Sequence, residues 1–156
     1  WHSMRRSAIS RPVNRRRQIG ASPGAVAKMV QANTHLTTSK QWVGNPIELS
    51  EGKAIVELET QEDMAVDKHQ LVHGGFIFGL ADYAAMLAIN HPNVVLGGSS
   101  NRFLKPVVAG EKVCATAVLA REEGKKKIVE VKVERGEDTV FTGEFICFIP
   151  EKHVLS

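Results

Sequence analysis

Between His73-Gly74-Gly75 and Asn90-His91-Pro92 the chain runs through Phe76–Ile89, a stretch rich in Ala, Leu and Met whose only charge is Asp82. Its length of roughly 15 residues and its composition predict a helix rather than a strand, ended by the Asn-His-Pro turn. At 1.5 Å per residue such a helix is roughly 22 Å long. Apolar side chains fall on nearly every face of it. A helix of that kind cannot lie on a surface, so the rest of the chain must surround it.

The flanking sequence supplies strands for the wrapping. Val43–Leu49 reads as a short strand, Ser50-Glu51-Gly52 as a turn, and Lys53–Glu59 alternates, with Ala54, Val56 and Leu58 on one face. Gln61–Val72 is polar, lacks a period and reads as a loop. After the helix, Val94–Leu96 and Ser99–Leu104 lead to a break at Lys105-Pro106. Lys112–Arg121, Lys127–Arg135 and Thr139–Ile149 are β-rich and are separated by turns at Glu123-Gly124 and Gly136-Glu137-Asp138. Val113, Ala115, Ala117 and Leu119 share one face; Val129, Val131 and Val133 face inward, with Ile128, Glu130, Lys132 and Glu134 on the solvent side. The expected architecture is α+β, a curved antiparallel sheet wrapped around one long central helix, with no repeat and no second domain.

At 156 residues and 43% hydrophobic content the chain is large enough for one real core and too apolar for disorder. No run reaches the roughly 18 apolar residues of a membrane span. Two cysteines, Cys114 and Cys147, cannot build a disulfide scaffold or a zinc knuckle and read as core thiols; a cytoplasmic protein is expected. The net charge of +3 is unevenly placed. Residues 1–20 hold six arginines and no acid, leaving 14 basic against 17 acidic residues, about −3, in the remainder. An arginine-rich arm suggests nucleic acid, anionic membrane or a mitochondrial presequence. No aromatic interleaves these arginines, and Met29 offers a later start. Residues 1–28 are therefore read as a flexible basic leader, native or added, and residues 29–156 as the single domain, with no nucleic-acid or membrane partner expected.

Asp82 is the residue that most suggests chemistry, because a carboxylate in such surroundings costs several kcal/mol to bury unless it is partnered. It reads either as a satisfied structural acid or as a working one. Upstream, Gly74 and Gly75 let backbone N–H groups approach a ligand oxygen closely. The first N–H groups of a helix lack intrahelical partners and the dipole there favours negative charge, the local chemistry of an oxyanion hole. Asp82 lies eight residues beyond Gly74, roughly 12 Å along the axis. One carbonyl carbon cannot touch both in one subunit, so if they cooperate, Asp82 must meet Gly74 of a second chain across a two-fold interface.

His73-Gly74-Gly75-Phe76 followed by Leu80-Ala81-Asp82, then Phe103-Leu104-Lys105-Pro106 and Gly110-Glu111, resembles the hotdog-fold acyl-CoA thioesterases, particularly the phenylacetate-degradation type. The resemblance covers roughly residues 40–150. It implies the hotdog fold and hydrolysis of acyl-CoA thioesters by a homodimer or a dimer of dimers, with no cofactor, since CoA is part of the substrate. It maps the nucleophile or general base onto Asp82 and the donor to the thioester oxygen onto Gly74. His73 belongs to the same constellation, its ring fixing the loop before the helix, and Gly75 adjoins the substrate. The family's loop Asn that places water is Asp67 here, and Gln70 stands where a Gly is common.

Further substrate-binding candidates are Ser99, near the expected acyl pocket, and Arg102 and Lys105, cations for the CoA phosphates. Lys125-Lys126-Lys127 is the less favoured set. Phe76, Phe78, Tyr83 and Met86 suggest a partly apolar acyl tunnel. His69, His73 and His91 lack metal-ligand spacing, and no metal is expected. A non-catalytic alternative exists: Gly136–Phe145 resembles the C-terminal strands of the hotdog effector domain of a bacterial lipid-synthesis repressor that senses malonyl-CoA. In that repressor the His-Gly-Gly and helix-acid pattern is replaced.

Overall fold

A computed structural model describes residues 29–156; the basic leader expected over residues 1–28 lies outside the described residues. The elements follow as α1 (Lys40–Val43), β1 (Asn45–Ser50), β2 (Lys53–Glu59), a 3-10 turn (Glu62–Met64), α2 (Gly74–Ile89), β3 (Val95–Phe103), β4 (Lys112–Glu123), β5 (Lys126–Arg135) and β6 (Asp138–Phe148). The six strands form one sheet in the order β1-β2-β4-β5-β6-β3, antiparallel throughout, and α2 packs against its inner face. Helix α2 begins two residues before the apolar run because His73 caps it, and it ends at Asn90 in the left-handed conformation.

The inner faces follow the alternation of the sequence. Ala54, Val56 and Leu58 of β2, Val113, Ala115 and Ala117 of β4, and Val129, Val131 and Val133 of β5 are all buried. On α2, Leu80, Ala81, Ala84, Ala85 and Leu87 are fully buried, as helical apolarity on every face requires. Each large aliphatic side chain so enclosed contributes about 1.5–3 kcal/mol.

Four local expectations change. The strand expected over Val43–Leu49 starts at Asn45, because the preceding residues close the short helix α1 and Gly44, at φ 103, turns the chain. The two runs Val94–Leu96 and Ser99–Leu104 are one strand, β3, whose register shifts between Leu96 and Gly98; the ring of Phe148 lies where a side chain on Gly97 would stand. The Gln61–Val72 loop is more ordered than its polarity suggests, holding the 3-10 turn, a buried Met64 and bridges from Ala65 to Val72 and from Leu71 to Val108. Ile128, expected on the solvent side, is buried, because the β4 register shift between Leu119 and Arg121 brings Arg121 opposite it while Ile146 of β6 flanks its other side.

Candidate active site

His73 sets the geometry at the start of α2. Its Nδ1 accepts a hydrogen bond from the Gly75 N–H at 2.7 Å, and its carbonyl accepts from the Phe76 N–H at 3.0 Å. A ring nitrogen that accepts carries no proton, so His73 is held as the Nε2–H tautomer with its basic lone pair already engaged. It acts as a cap. Gly75, expected against substrate, spends its N–H on that cap. Among the described residues no protein group accepts a hydrogen bond from the Gly74 N–H. The edge of the Phe103 ring lies over this residue, 3.1 Å from where a Cβ on Gly74 would sit. Beside it opens a cavity of about 340 Å³ lined by Leu71, Ile77, Phe103, Lys105 and Val107.

Asp82 stands two turns further along α2. Phe78, one turn before it, packs on Phe145 of β6 with ring centroids 5.5 Å apart. The Asp82 carboxylate therefore faces the next inward residue of that strand, Cys147. Burial pushes the Asp82 carboxyl up to about 6, and its enclosed Oδ1 has no hydrogen-bond partner among the described residues. Burial, with the Asp82 charge as a smaller contribution, pushes the Cys147 thiol up to about 12. Cys147 is thus an inert core thiol. Cys114 is only half-buried, because it alternates onto the outer face between Val113 and Ala115.

The other candidates separate. Asp67 Oδ1 accepts from the N–H groups of His69 and Leu71 at 3.0 and 3.2 Å, so this carboxylate ties its own loop. Lys105 lines the Gly74 cavity and is paired with Asp138 at 2.7 Å. Arg102, expected to act with Lys105, is on the opposite face of the sheet, where it lines a shallow depression with Thr116, Lys132 and Glu144. Strand alternation causes the split, since Phe103 beside it turns inward onto Phe141. Ser99 shares the inner face with Asn101 and Phe103, whereas Ser100 turns outward with Arg102. Lys127 pairs with Glu122 near the β4–β5 turn. Two contributors escaped the sequence reading: Phe103, which covers Gly74, and Asn101, whose buried Oδ1 also lacks a partner. Counting alternate residues back from Phe103 would have found Asn101.

This arrangement, a free helix-start N–H and a buried helix acid within a sheet-wrapped helix, coincides with the family model for the thioesterase superfamily, which matches residues 69–142. The chain has the hotdog fold of the thioesterase superfamily. The uncharacterized protein PH1136 from Pyrococcus horikoshii is similar over 82% of this chain and 98% of its own, at 57% identity and a TM-score of 0.81; the two hotdog proteins belong to one family. The Escherichia coli PaaI protein from the phenylacetic acid degradation operon is similar at 26% identity and a TM-score of 0.66, over 73% of this chain and 84% of its own.

Two curated relatives are longer. A methylthioribose-1-phosphate isomerase of Aquifex aeolicus is 53% identical over 112 residues, 72% of this chain but 25% of that protein. Transcription factor FapR of Caldanaerobacter subterraneus is 33% identical over 114 residues, 72% of this chain and 57% of that protein. This hotdog chain thus spans a quarter of the first and little more than half of the second. Among the described residues no helix is long and apolar enough to cross a membrane.

Proposed function

We propose that this hotdog protein is a cytoplasmic acyl-CoA thioesterase of the phenylacetate-degradation type, whose site is completed by a second copy of the chain. The observation that carries this reading is the pair on α2: an unengaged Gly74 N–H at the helix start, and an Asp82 carboxylate with an unpartnered oxygen and a carboxyl raised to about 6. They lie roughly 12 Å apart along the helix and so cannot serve one carbonyl in one copy. β3 is an edge strand, next to Gly74 through Phe103, and its unpaired side offers a register for the β3 of a second copy.

In the reaction, the Gly74 N–H donates to the thioester oxygen and stabilises the charge that develops there. The second copy's carboxylate takes a proton from water, whose oxygen adds to the carbonyl carbon, or it attacks that carbon directly and the resulting anhydride is hydrolysed. Collapse breaks the C–S bond, and CoA leaves as a thiolate that then takes up a proton. A thiolate leaves readily, so one carboxylate and one amide suffice. Lys105, which lines the Gly74 cavity and is paired with Asp138, is the cation nearest to hand for the anionic end of the substrate.

A second reading, an acyl-CoA-binding effector module, is favoured by the 33% identity to FapR. A panel of acyl-CoAs assayed for thiol release separates the two. The thioesterase reading expects turnover that falls by orders of magnitude in Asp82→Asn with the fold intact. Saturable acyl-CoA binding without thiol release would establish the effector reading instead.

A further inference from the structure

The inner face of the sheet is apolar on β2, β4 and β5, and on β6 it reads Phe141, Gly143, Phe145 and Cys147. On β3 it passes from Leu96, opposite Cys147, to the polar Ser99 and Asn101 and then to Phe103, these last three opposite Phe145, Gly143 and Phe141 in turn. Asn101 is built into this surface. Its Nδ2 donates to Ser99 Oγ at 3.1 Å, and its Oδ1 is buried without a partner among the described residues. The carboxamide fits only because residue 143 is glycine. A Cβ there would lie 2.7 Å from Asn101 Oδ1, 2.8 Å from the Phe145 ring and 3.1 Å from the Phe141 ring. Whichever way the amide is turned, one end faces Gly143 between two aromatic rings and finds no protein partner. Ile or Val at position 101 would meet the demands of an inner strand face at no such cost.

Position supplies the ligand's chemistry. Phe103, which covers Gly74, is two residues from Asn101 on the same face, roughly 7 Å along the strand. An acyl group whose carbonyl rests on the Gly74 N–H and whose chain follows β3 inward reaches the carboxamide after a few carbons. We propose that Asn101, supported by Ser99, is a specificity-determining residue that selects acyl groups bearing a hydroxyl several carbons from the thioester over unsubstituted alkyl chains of the same length. This rests on the acyl-CoA reading of the site. The carboxamide and hydroxyl hydrogen-bond the substituent, and a plain alkyl chain leaves the Asn101 amide end that faces Gly143 buried and unpaired, which is the stronger half of the discrimination.

The test is calorimetric binding of ω-hydroxyacyl-CoAs and matched unsubstituted acyl-CoAs of four to eight carbons. It uses full-length Asp82→Asn protein, so that affinity is read whether or not turnover occurs. The expected result is about tenfold tighter binding of the hydroxylated member at one chain length. That preference should vanish in Asn101→Leu and weaken in Ser99→Ala, an exposed position where folding is not at stake. Equal binding of both series by the parent, or an unchanged preference in both variants, overturns the selectivity role while leaving the acyl-CoA reading in place. Failure of every CoA ester to bind overturns both.

Discussion

The two walls that flank α2 differ in kind. On the β2–β4 side, Ala54, Val56, Leu58, Val113, Ala115 and Ala117 are at most 1% exposed, and every one is aliphatic. On the β6–β3 side, Phe145 and Cys147 are buried, but they face a carboxylate with a raised pKa, and beyond them stand Ser99, Asn101 and a Phe103 that is 56% exposed. One wall is packed as an interior needs to be packed. The other carries unpartnered polar atoms and open aromatic surface that a monomer gains nothing by keeping. The sheet thus packs one side as an interior and leaves the other unsatisfied, and on the proposed thioesterase reading substitutions on the two sides should have opposite signatures.

The largest expected effect is on the chemical side. Asp82→Ala and Asp82→Asn should lower acyl-CoA turnover by about 10³-fold or more, since a nucleophile or general base contributes on that scale. Thermal or urea unfolding should show no loss of stability, because the carboxylate satisfies nothing. Thiol release measured beside an unfolding curve checks both halves. A variant that loses turnover only because it unfolds would erase the distinction between the walls.

Leu58→Ala should do the reverse. Leu58 is 1% exposed and the sheet cannot close over the space it leaves, so urea unfolding should show a loss of about 2–5 kcal/mol with turnover per folded molecule unchanged. Leu104→Ala, at a residue 50% exposed just past β3, should cost within about 0.5 kcal/mol.

The pH dependence of Asp82 sharpens the contrast, because stability and activity should slope in opposite directions. Below about pH 4 the carboxyl is protonated in both folded and unfolded chains and costs nothing. As pH rises towards 6 the unfolded chain ionises first while the folded chain still holds its proton, so wild-type stability falls; above 6 the loss is complete. Relative to Asp82→Asn, the wild type should lose at most about 3 kcal/mol across this window. Activity should rise through an apparent pKa near 6 as the carboxylate forms. Urea unfolding and kcat/KM measured at the same pH values read the two slopes. A flat difference between wild type and Asp82→Asn would mean that the acid is not buried at all.

How much of this could be read without coordinates depends on the wall. The central helix was legible because apolarity on every face admits one placement, and Asp82 stood out against it. β2, β4 and β5 were legible because their alternation is clean. β6 was legible as the β-rich run Thr139–Ile149, but the inner face of β3 beside it was not. Ser99-Ser100-Asn101-Arg102 is polar on both parities, so a strand over Ser99–Leu104 shows no inner face in sequence, and that face becomes visible only when β3 is registered against β6. Gly143 gave no signal because its function is to leave room for a side chain 42 residues away in sequence. Arg102 and Lys105 were grouped by proximity along the chain, although alternation from Phe103 would have parted them.

Gly74 lies beside Phe103 of β3, and its substitution gives a small stability effect and the most specific functional one. In Gly74→Ala the new methyl lies 3.1 Å from Phe103 Cε1, a ring edge that is largely exposed and free to swing outward. Alanine also favours the helix over glycine, by up to about 1 kcal/mol in a helix interior and less at its first residue. Unfolding should therefore shift within about 1 kcal/mol in either direction. The methyl and the displaced ring nevertheless occupy the approach to the Gly74 N–H. Turnover should fall by about 10- to 100-fold, chiefly in kcat, because the bond to the thioester oxygen strengthens as charge develops on it. Steady-state kinetics on Gly74→Ala decides the matter: an unchanged kcat would show that this amide takes no part in the chemistry, whatever Asp82 does.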